Sequence, residues 1–416
     1  MAANSNRPRL NPALAPIFLI QLIGAMGYGI MFPLLPYYGK EYGASPLVNG
    51  MLLASYGICS FIAGPILGTL SDRYGRRPWL IFSLIGTIVG FALLGIGGSL
   101  FMLFLGRMID GISGGNVVIA QAYISDVSKP EERTQNFGVM GMAFGIGFAL
   151  GPALGTLLSP YGLSVPMWVA AGLTAVATVV TYLRLPESIK PGANAGAGRS
   201  VLGQFGAIGE VFTRASLQPL LLMFLSFTLT AFLFITSISQ VMQLQIGAGV
   251  DQAGWPATVF GVLNILFQSQ LRGIVARLGE RRMIVTGLAT LLVPSIGMFL
   301  VREVWQMVAL APFMALAMTL LRPSLTAMLT ALTDPREVGK VLGVGNSIDA
   351  LAQIFAPLIG GLLIQAVTPG TPGLLGALIA SLGLLIFALR SGMLPARVGG
   401  RPGTTSAPLA APSSAR

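Results

Sequence analysis

The 416-residue chain has no histidine and a single cysteine. The first absence excludes imidazole acid–base catalysis and histidine proton relays, and it removes the commonest metal ligand, so no metal site is expected. The second excludes an intramolecular disulfide; the lone Cys59 lies inside an apolar run. Charge is also scarce. Asp, Glu, Lys and Arg make up 9% of the chain, against about 25% in soluble domains. So few charges cannot cover a water-facing surface, but the 54% of hydrophobic residues can face lipid. Glycine is plentiful at 54 residues, as suits helices that approach closely in a membrane. The net charge of +11 therefore does not point to nucleic acid. In a membrane protein, excess Lys and Arg marks the loops that stay in the cytoplasm.

A bilayer core takes about 20 apolar residues per helix. Runs of that kind fall at 13–36, 47–70, 78–98, 101–125, 136–158 and 164–185, then at 217–245, 254–275, 283–301, 304–332, 338–366 and 372–394. The expected fold is an all-α membrane protein with twelve transmembrane helices. The first run is too long for a signal-peptide core and no clear cleavage site follows it, so it reads as a retained span. With the N-terminus inside, cytoplasmic segments hold 21 of the 25 Lys and Arg, and external loops hold only Lys40 and Arg302. A missed helix would scramble this bias, so it predicts a multi-pass protein of the cell (inner) membrane with both termini cytoplasmic. The small, polar stretch 186–216 reads as a cytoplasmic linker between residues 1–185 and 217–394, and the Pro-, Ser- and Ala-rich 395–416 as a disordered tail.

The two halves repeat at a shift of about 205 residues. "DVSKPEER" (126–133) answers "LTDPREVGK" (332–340), "LGPALGTLL" (150–158) answers "FAPLIGGLL" (355–363), and "YGRRPWLI" (74–81) answers "LGERRMIV" (278–285). Three matches in register predict a duplicated six-helix unit, both copies in one orientation.

"GTLSDRYGRRP" (68–78) sits between the second and third spans. Gly68 lets helices touch, Asp72 is placed to meet an Arg or a helix N-terminus, Gly75 permits a tight turn, and Arg76 and Arg77 anchor at the headgroups. "GIGFALGPALGT" (145–156) puts Gly147, Gly151 and Gly155 four apart on one helix face, and Pro152 favours a bend. "LGRMIDGISGG" (105–115) carries an Arg within the membrane. Together these strings resemble the major facilitator superfamily, and from Gly24 to Leu158 they are most similar to bacterial tetracycline-efflux proteins. The resemblance implies the major facilitator fold, a gating role for Gly68, Asp72, Arg73, Gly75, Arg76 and Arg77, and Asp126 as partner of the signature Arg, here Arg73. It also implies that Gly147, Gly151, Pro152 and Gly155 mark a proton-driven exporter, with Thr156 in place of the motif's last glycine. The sequence departs from the tetracycline exporters where they carry embedded acids: Gly24 and Gly90 stand in the first and third spans, and 283–301 has no acid.

An ionisable residue at the bilayer centre costs about 2.5–3.5 kcal/mol on insertion scales, so each needs a reason. Four are clearly inside spans: Arg107, Asp110, Arg322 and Asp349. Arg107 and Asp110 are three apart and share a helix face. Arg322 and Asp349 each lie about eleven residues from the cytoplasmic end of adjacent spans, ~16 Å deep, where they can pair. Either pair can be a structural ion pair fixing helix register. The second has no charged counterpart in the first half, where Val117 and Phe144 stand, and that favours proton or substrate chemistry. Gln268 and Gln353 add polar groups to the candidate proton- and substrate-binding set.

The expected function is secondary transport by alternating access: a proton-coupled exporter of small amphipathic compounds or drugs. The alternative is an importer or facilitator of a small polar or zwitterionic metabolite. An enzyme finds no support, for no Ser–His pair or metal-spaced acids occur. The expected energy source is a proton gradient with no cofactor, and the expected partners are a small-molecule substrate, protons and the lipid bilayer around a monomer.

Overall fold

A computed structural model of the protein describes residues 14–189, 209–334 and 337–390. Among these residues every regular element is helical: α1 (Leu14–Glu41), α2 (Pro46–Tyr74), α3 (Arg76–Ile96), α4 (Leu100–Ile112), α5 (Asn116–Val127), α6 (Pro130–Leu158) and α7 (Ser164–Arg184), followed by α8 (Gln218–Val241), α9 (Trp255–Ser269), α10 (Leu271–Leu300), α11 (Val304–Ala331), α12 (Val338–Ala366) and α13 (Thr371–Arg390). Most of the expected 186–216 linker and the whole of the expected 395–416 tail lie outside the described residues.

Local chemistry sets the ends. Ser45 caps α2 by accepting from the Val48 N–H at 3.4 Å, with Pro46 at the first helical position. Ser99 caps α4 in the same way through Met102. Glu303 and Gln306 form a reciprocal capping box on α11. Gly75 ends α2 at φ 104°, a region closed to most side chains, and so lets α3 start one residue later. Gly279, 204 residues further on, adopts φ 71° inside α10. The repeated "YGRR" and "LGERR" strings thus share a backbone turn as well as letters.

Eleven of these stretches are long and apolar enough to cross a membrane, with Leu100–Val127 counted as one across the short break at Ser113–Gly115. α9 has only 15 residues. Its path continues after a one-residue interruption at Gln270 to the turn at Gly279, where the next crossing begins. The chain is therefore consistent with twelve crossings. The expected span 254–275 is two helical pieces, and Gln270 with Gly279 supply the breaks that hydropathy does not register.

The first seven helices pack on one another, chiefly α1 on α6 and α3 on α7; the last six do likewise, chiefly α10 on α11 and α13. The two sets meet through α2 with α12, α6 with α9 and α1 with α8. Close approach depends on glycine at these seams. A Cβ on Gly50 would overlap the Pro357 carbonyl, and one on Gly261 would stand 2.6 Å from the Ala149 Cα. These contacts between the sets fall from mid-helix toward the end of the molecule that carries Ser45. Toward the other end, which carries Gly75, Gly138 and Gly141 of α6 and Gly339 and Gly343 of α12 have open space where a Cβ would stand.

Candidate functional site

A cavity of about 340 Å³ lies near mid-helix, walled mostly by the first set and closed by Phe232 of α8 and Gln353 of α12 from the second. It runs from Met31 and Phe91 toward the Gly75 end, past Gln21 and Val118. Its walls are mostly apolar or aromatic, with Tyr28, Tyr56, Phe144 and Phe232 among them, and its charged residues are Arg107 and Asp110.

Arg107 Nη1 meets Asp110 Oδ2 at 3.1 Å, and both side chains are almost wholly buried. The pair is held from three helices. The Arg107 guanidinium lies over the Tyr56 ring of α2, 4.5 Å from its centroid. Thr87 of α3 lines the cavity with Asp110, and α3 packs directly on α4 at this level. Gly90 makes this possible, since a Cβ there would come within 2.8 Å of the Asp110 Cβ. The glycine found where tetracycline exporters carry an acid therefore makes room for the acid of α4. Gly24, the other such position, faces the cavity beside the Asn116 amide.

The second pair joins Arg322 of α11 to Asp349 of α12 at 2.7 Å. Thr228 of α8 donates to the other Asp349 oxygen at 3.2 Å. Arg322 is half exposed (52%) and Asp349 is not (17%), so this arginine presents unused N–H groups to open space. Neither residue lines the 340 Å³ cavity. Gln353, one turn along α12 from Asp349, does, and its amide donates to the Tyr28 hydroxyl. Gln268 is exposed on α9 and stands away from the cavity. Among the described residues no cluster of three or more His, Cys, Asp or Glu is arranged to hold a metal.

At the Gly75 end the signature loop forms a compact polar knot. Arg76 is 5% exposed. It bonds Asp72 one turn earlier, the Ser71 hydroxyl at 2.8 Å and Asp126 at 3.0 Å. This corrects the expected pairing of Asp126 with Arg73. The turn at Gly75 folds Arg76 back over the end of α2, whereas Arg73 stays on the outer face against the Tyr74 ring. Glu187 adds what sequence did not suggest: its carboxylate accepts the backbone N–H of Arg76 at 2.7 Å and of Arg77 at 3.1 Å. It thereby caps the N-terminus of α3. Tyr56, Thr87 and Thr228 were likewise missed, because a hydroxyl or ring in an apolar span gives no periodic signal.

The glycines of α6 pack onto α1. A Cβ on Gly147 would overlap the Leu22 carbonyl, and one on Gly151 would overlap that of Met26. Gly155 lies against Ile30 and Leu34, and Pro152 against Gly29.

This arrangement, a mid-helix cavity of the first set that the second set closes, beside embedded ion pairs, is that of a membrane transporter rather than an enzyme. The sequence profile described as Major Facilitator Superfamily matches residues 17–247 and 220–413, and the chain belongs to that superfamily. It is 30% identical over 398 residues to the class C tetracycline resistance protein of Escherichia coli, covering 92% of this chain and 97% of the relative. The fold matches the crystal structure of the human organic anion transporter MFSD10 (TETRAN) with a TM-score of 0.66 at 22% identity, covering 90% and 98% of the two chains. It matches the crystal structure of the peptide transporter POT with a TM-score of 0.76 at 15% identity, covering 92% and 95%.

Proposed function

We propose that this transporter is a proton-coupled exporter of small amphipathic compounds. It works by alternating access in the cell (inner) membrane, with both termini in the cytoplasm. Residues 1–185 and 217–394 are its two rocking halves, 186–216 the linker and 395–416 a tail. The observation that carries this reading is the cavity: aromatic and apolar walls around one buried ion pair suit a molecule with an apolar body and one polar edge. The positive-inside bias makes the Gly75 end cytoplasmic, so the cavity is open to the side from which an exporter loads. The relation to a protein named for tetracycline resistance supports export. Gly24 and Gly90, standing where acids stand in the tetracycline exporters, argue for a substrate class wider than tetracycline with its metal.

Within this reading Asp349 carries the proton and Arg322 is its switching partner, while Arg107 and Asp110 keep their separation because they ride on one helix. Gln353 lines the substrate path, and Gln268, exposed on α9, is not part of the cavity wall. The signature loop, with Asp72, Arg76 and Asp126 at its centre, latches the cytoplasmic side when the cavity faces outward.

One observation favours the alternative importer: the half-exposed Arg322 beside Asp349 presents both signs of charge to a zwitterion. Everted and right-side-out vesicles separate the two. Export predicts that everted vesicles accumulate members of a cationic and neutral drug panel only while acid inside, and lose them when a protonophore is added. Accumulation confined to right-side-out vesicles would establish the importer instead.

A further inference from the structure

Among the described residues, the hydrogen bond from Gln353 of α12 to the Tyr28 hydroxyl of α1 lies deepest of those that join the two helix sets. The others are nearer the Ser45 end. The Tyr37 hydroxyl donates to the Ala248 carbonyl at 3.0 Å, the Ser239 hydroxyl to the Phe32 carbonyl at 3.4 Å, and the Leu47 N–H to Gln365 Oε1 at 3.3 Å. Along α1, Phe32 and Tyr37 lie about 6 and about 13 Å beyond Tyr28 at 1.5 Å per residue. Tyr28 and Gln353 both line the cavity, and the other three contacts lie on the closed side of it.

The same bond connects the two ion pairs. On one side the Tyr28 ring lies 6.1 Å from that of Tyr56, whose face carries Arg107, the partner of Asp110. On the other, Gln353 follows Asp349 by four residues and so shares its helix face, and Asp349 holds Arg322. Gly57, next to Tyr56, brings α2 against Ile354 and Gln353, with a Cβ there 3.1 Å from the nearer atom. Arg107 and Asp110 keep their spacing in any rocking motion, but the rings over them do not keep their neighbour.

We propose that Tyr28 and Gln353 form the inner gate of this carrier. They are positioning residues: their hydrogen bond holds the two sets together at the floor of the cavity, and it breaks when the Ser45 end opens. Through Tyr56 on one side and the α12 turn on the other, the bond makes each ion pair sensitive to the state of the opposite half.

The test needs no transported ligand, so it stands or fails apart from the exporter reading. Full-length protein carrying Cys59→Ser, Tyr161→Cys and Val367→Cys is spin-labelled in lipid nanodiscs, and the distance distribution across the Ser45 end is recorded. Tyr28→Phe keeps the ring on Tyr56 and removes only the hydroxyl; Gln353→Met removes the donor and keeps the length. Each is expected to shift the closed-to-open ratio about threefold to tenfold toward open, the range for one net hydrogen bond. The double variant is expected to shift it no further than either single variant. Melting temperatures in the same lipid check that the fold is intact. Unchanged ratios in both single variants overturn the proposal. So do shifts that add in the double variant, since independent residues do not share a bond.

Discussion

Arg76 shows how one side chain organises the Gly75 end. A buried guanidinium needs several acceptors, and this one takes a hydroxyl and two carboxylates. A lysine offers a point charge with no planar fork. Arg76→Lys is expected to reduce transport at least tenfold. Asp72→Asn loses one charge-assisted hydrogen bond, worth about 1.5–3 kcal/mol at most, and less here because Asp72 is a quarter exposed. It is expected to impair transport while leaving expression nearly normal; full transport by this variant would remove the latch role. The sequence names the loop but not its geometry: three arginines lie within five residues, and only the positive φ at Gly75 decides which one turns inward. A second polar cluster outside the membrane gives a pH prediction. Arg214 binds Glu337 and Glu210, and Lys340 also binds Glu210. These cations hold both carboxyls below the usual carboxylate range. A group with a depressed folded pKa stabilises above the ordinary value of about 4.3 and stops doing so as pH falls through the lower folded value. The protection factor of the amides at the start of α12, around Gly339–Leu342, taken against the intrinsic exchange rate at each pH, is therefore expected to be high at neutral pH and to fall in that acid window. Arg214→Gln should remove the Glu337 part of the pH dependence and leave the part that Lys340 holds on Glu210.

At the scale of a helix, the α1–α6 seam is set by residues that lack side chains. Gly151→Ala would push a methyl group into the Met26 carbonyl and to 2.9 Å from the Gly29 Cα, both backbone atoms with no rotamer to yield. The expected cost is about 1–3 kcal/mol of overpacking, read as a lower thermal midpoint in detergent. Gly172→Ala in α7 is the control. Nothing stands within 4 Å of its would-be Cβ, and alanine favours a helix by about 1 kcal/mol over glycine. That variant is expected to be neutral or stabilising, and equal losses from the two would remove the packing argument. Helices are where sequence served best, because apolar length and charge bias report directly on the bilayer. It located twelve spans, with which the described helices are consistent, and the four-residue glycine spacing of α6. It did not reveal the interruptions at Gln270 and Ser113–Gly115, because hydropathy averages over a window and a one-residue break leaves the mean unchanged. The site was legible in its charges and not in its supports. Embedded Arg and Asp stand out against an apolar background, whereas Tyr56 and Thr87 are ordinary there and acquire meaning only from what packs against them.

For the whole molecule, the sign of proton coupling follows from which partner of an ion pair the substrate takes. A substrate amine or donor that draws Asp349 away from Arg322 occupies the carboxylate and excludes a proton, so the two ligands compete and travel in opposite directions. A substrate anion that takes Arg322 leaves Asp349 without its cation, and a carboxylate that loses an arginine binds a proton more readily. Anion and proton then bind together and travel together. By linkage the effect is reciprocal and measurable at equilibrium. Unbuffered purified protein titrated with a transported cationic compound should release protons if it is an antiporter, whereas a transported anion or zwitterion that takes Arg322 should cause uptake if it is a symporter. The release is expected to vanish in Asp349→Asn. It is expected to persist in Asp110→Asn, because Arg107 sits three residues from Asp110 on the same helix at 3.1 Å and rocking of the halves does not change that spacing. Loss of release in the Asp110 variant and its survival in the Asp349 variant would move the proton to the first half. Proton uptake by the wild type would favour the importer, and no proton change at all would make the protein an uncoupled facilitator.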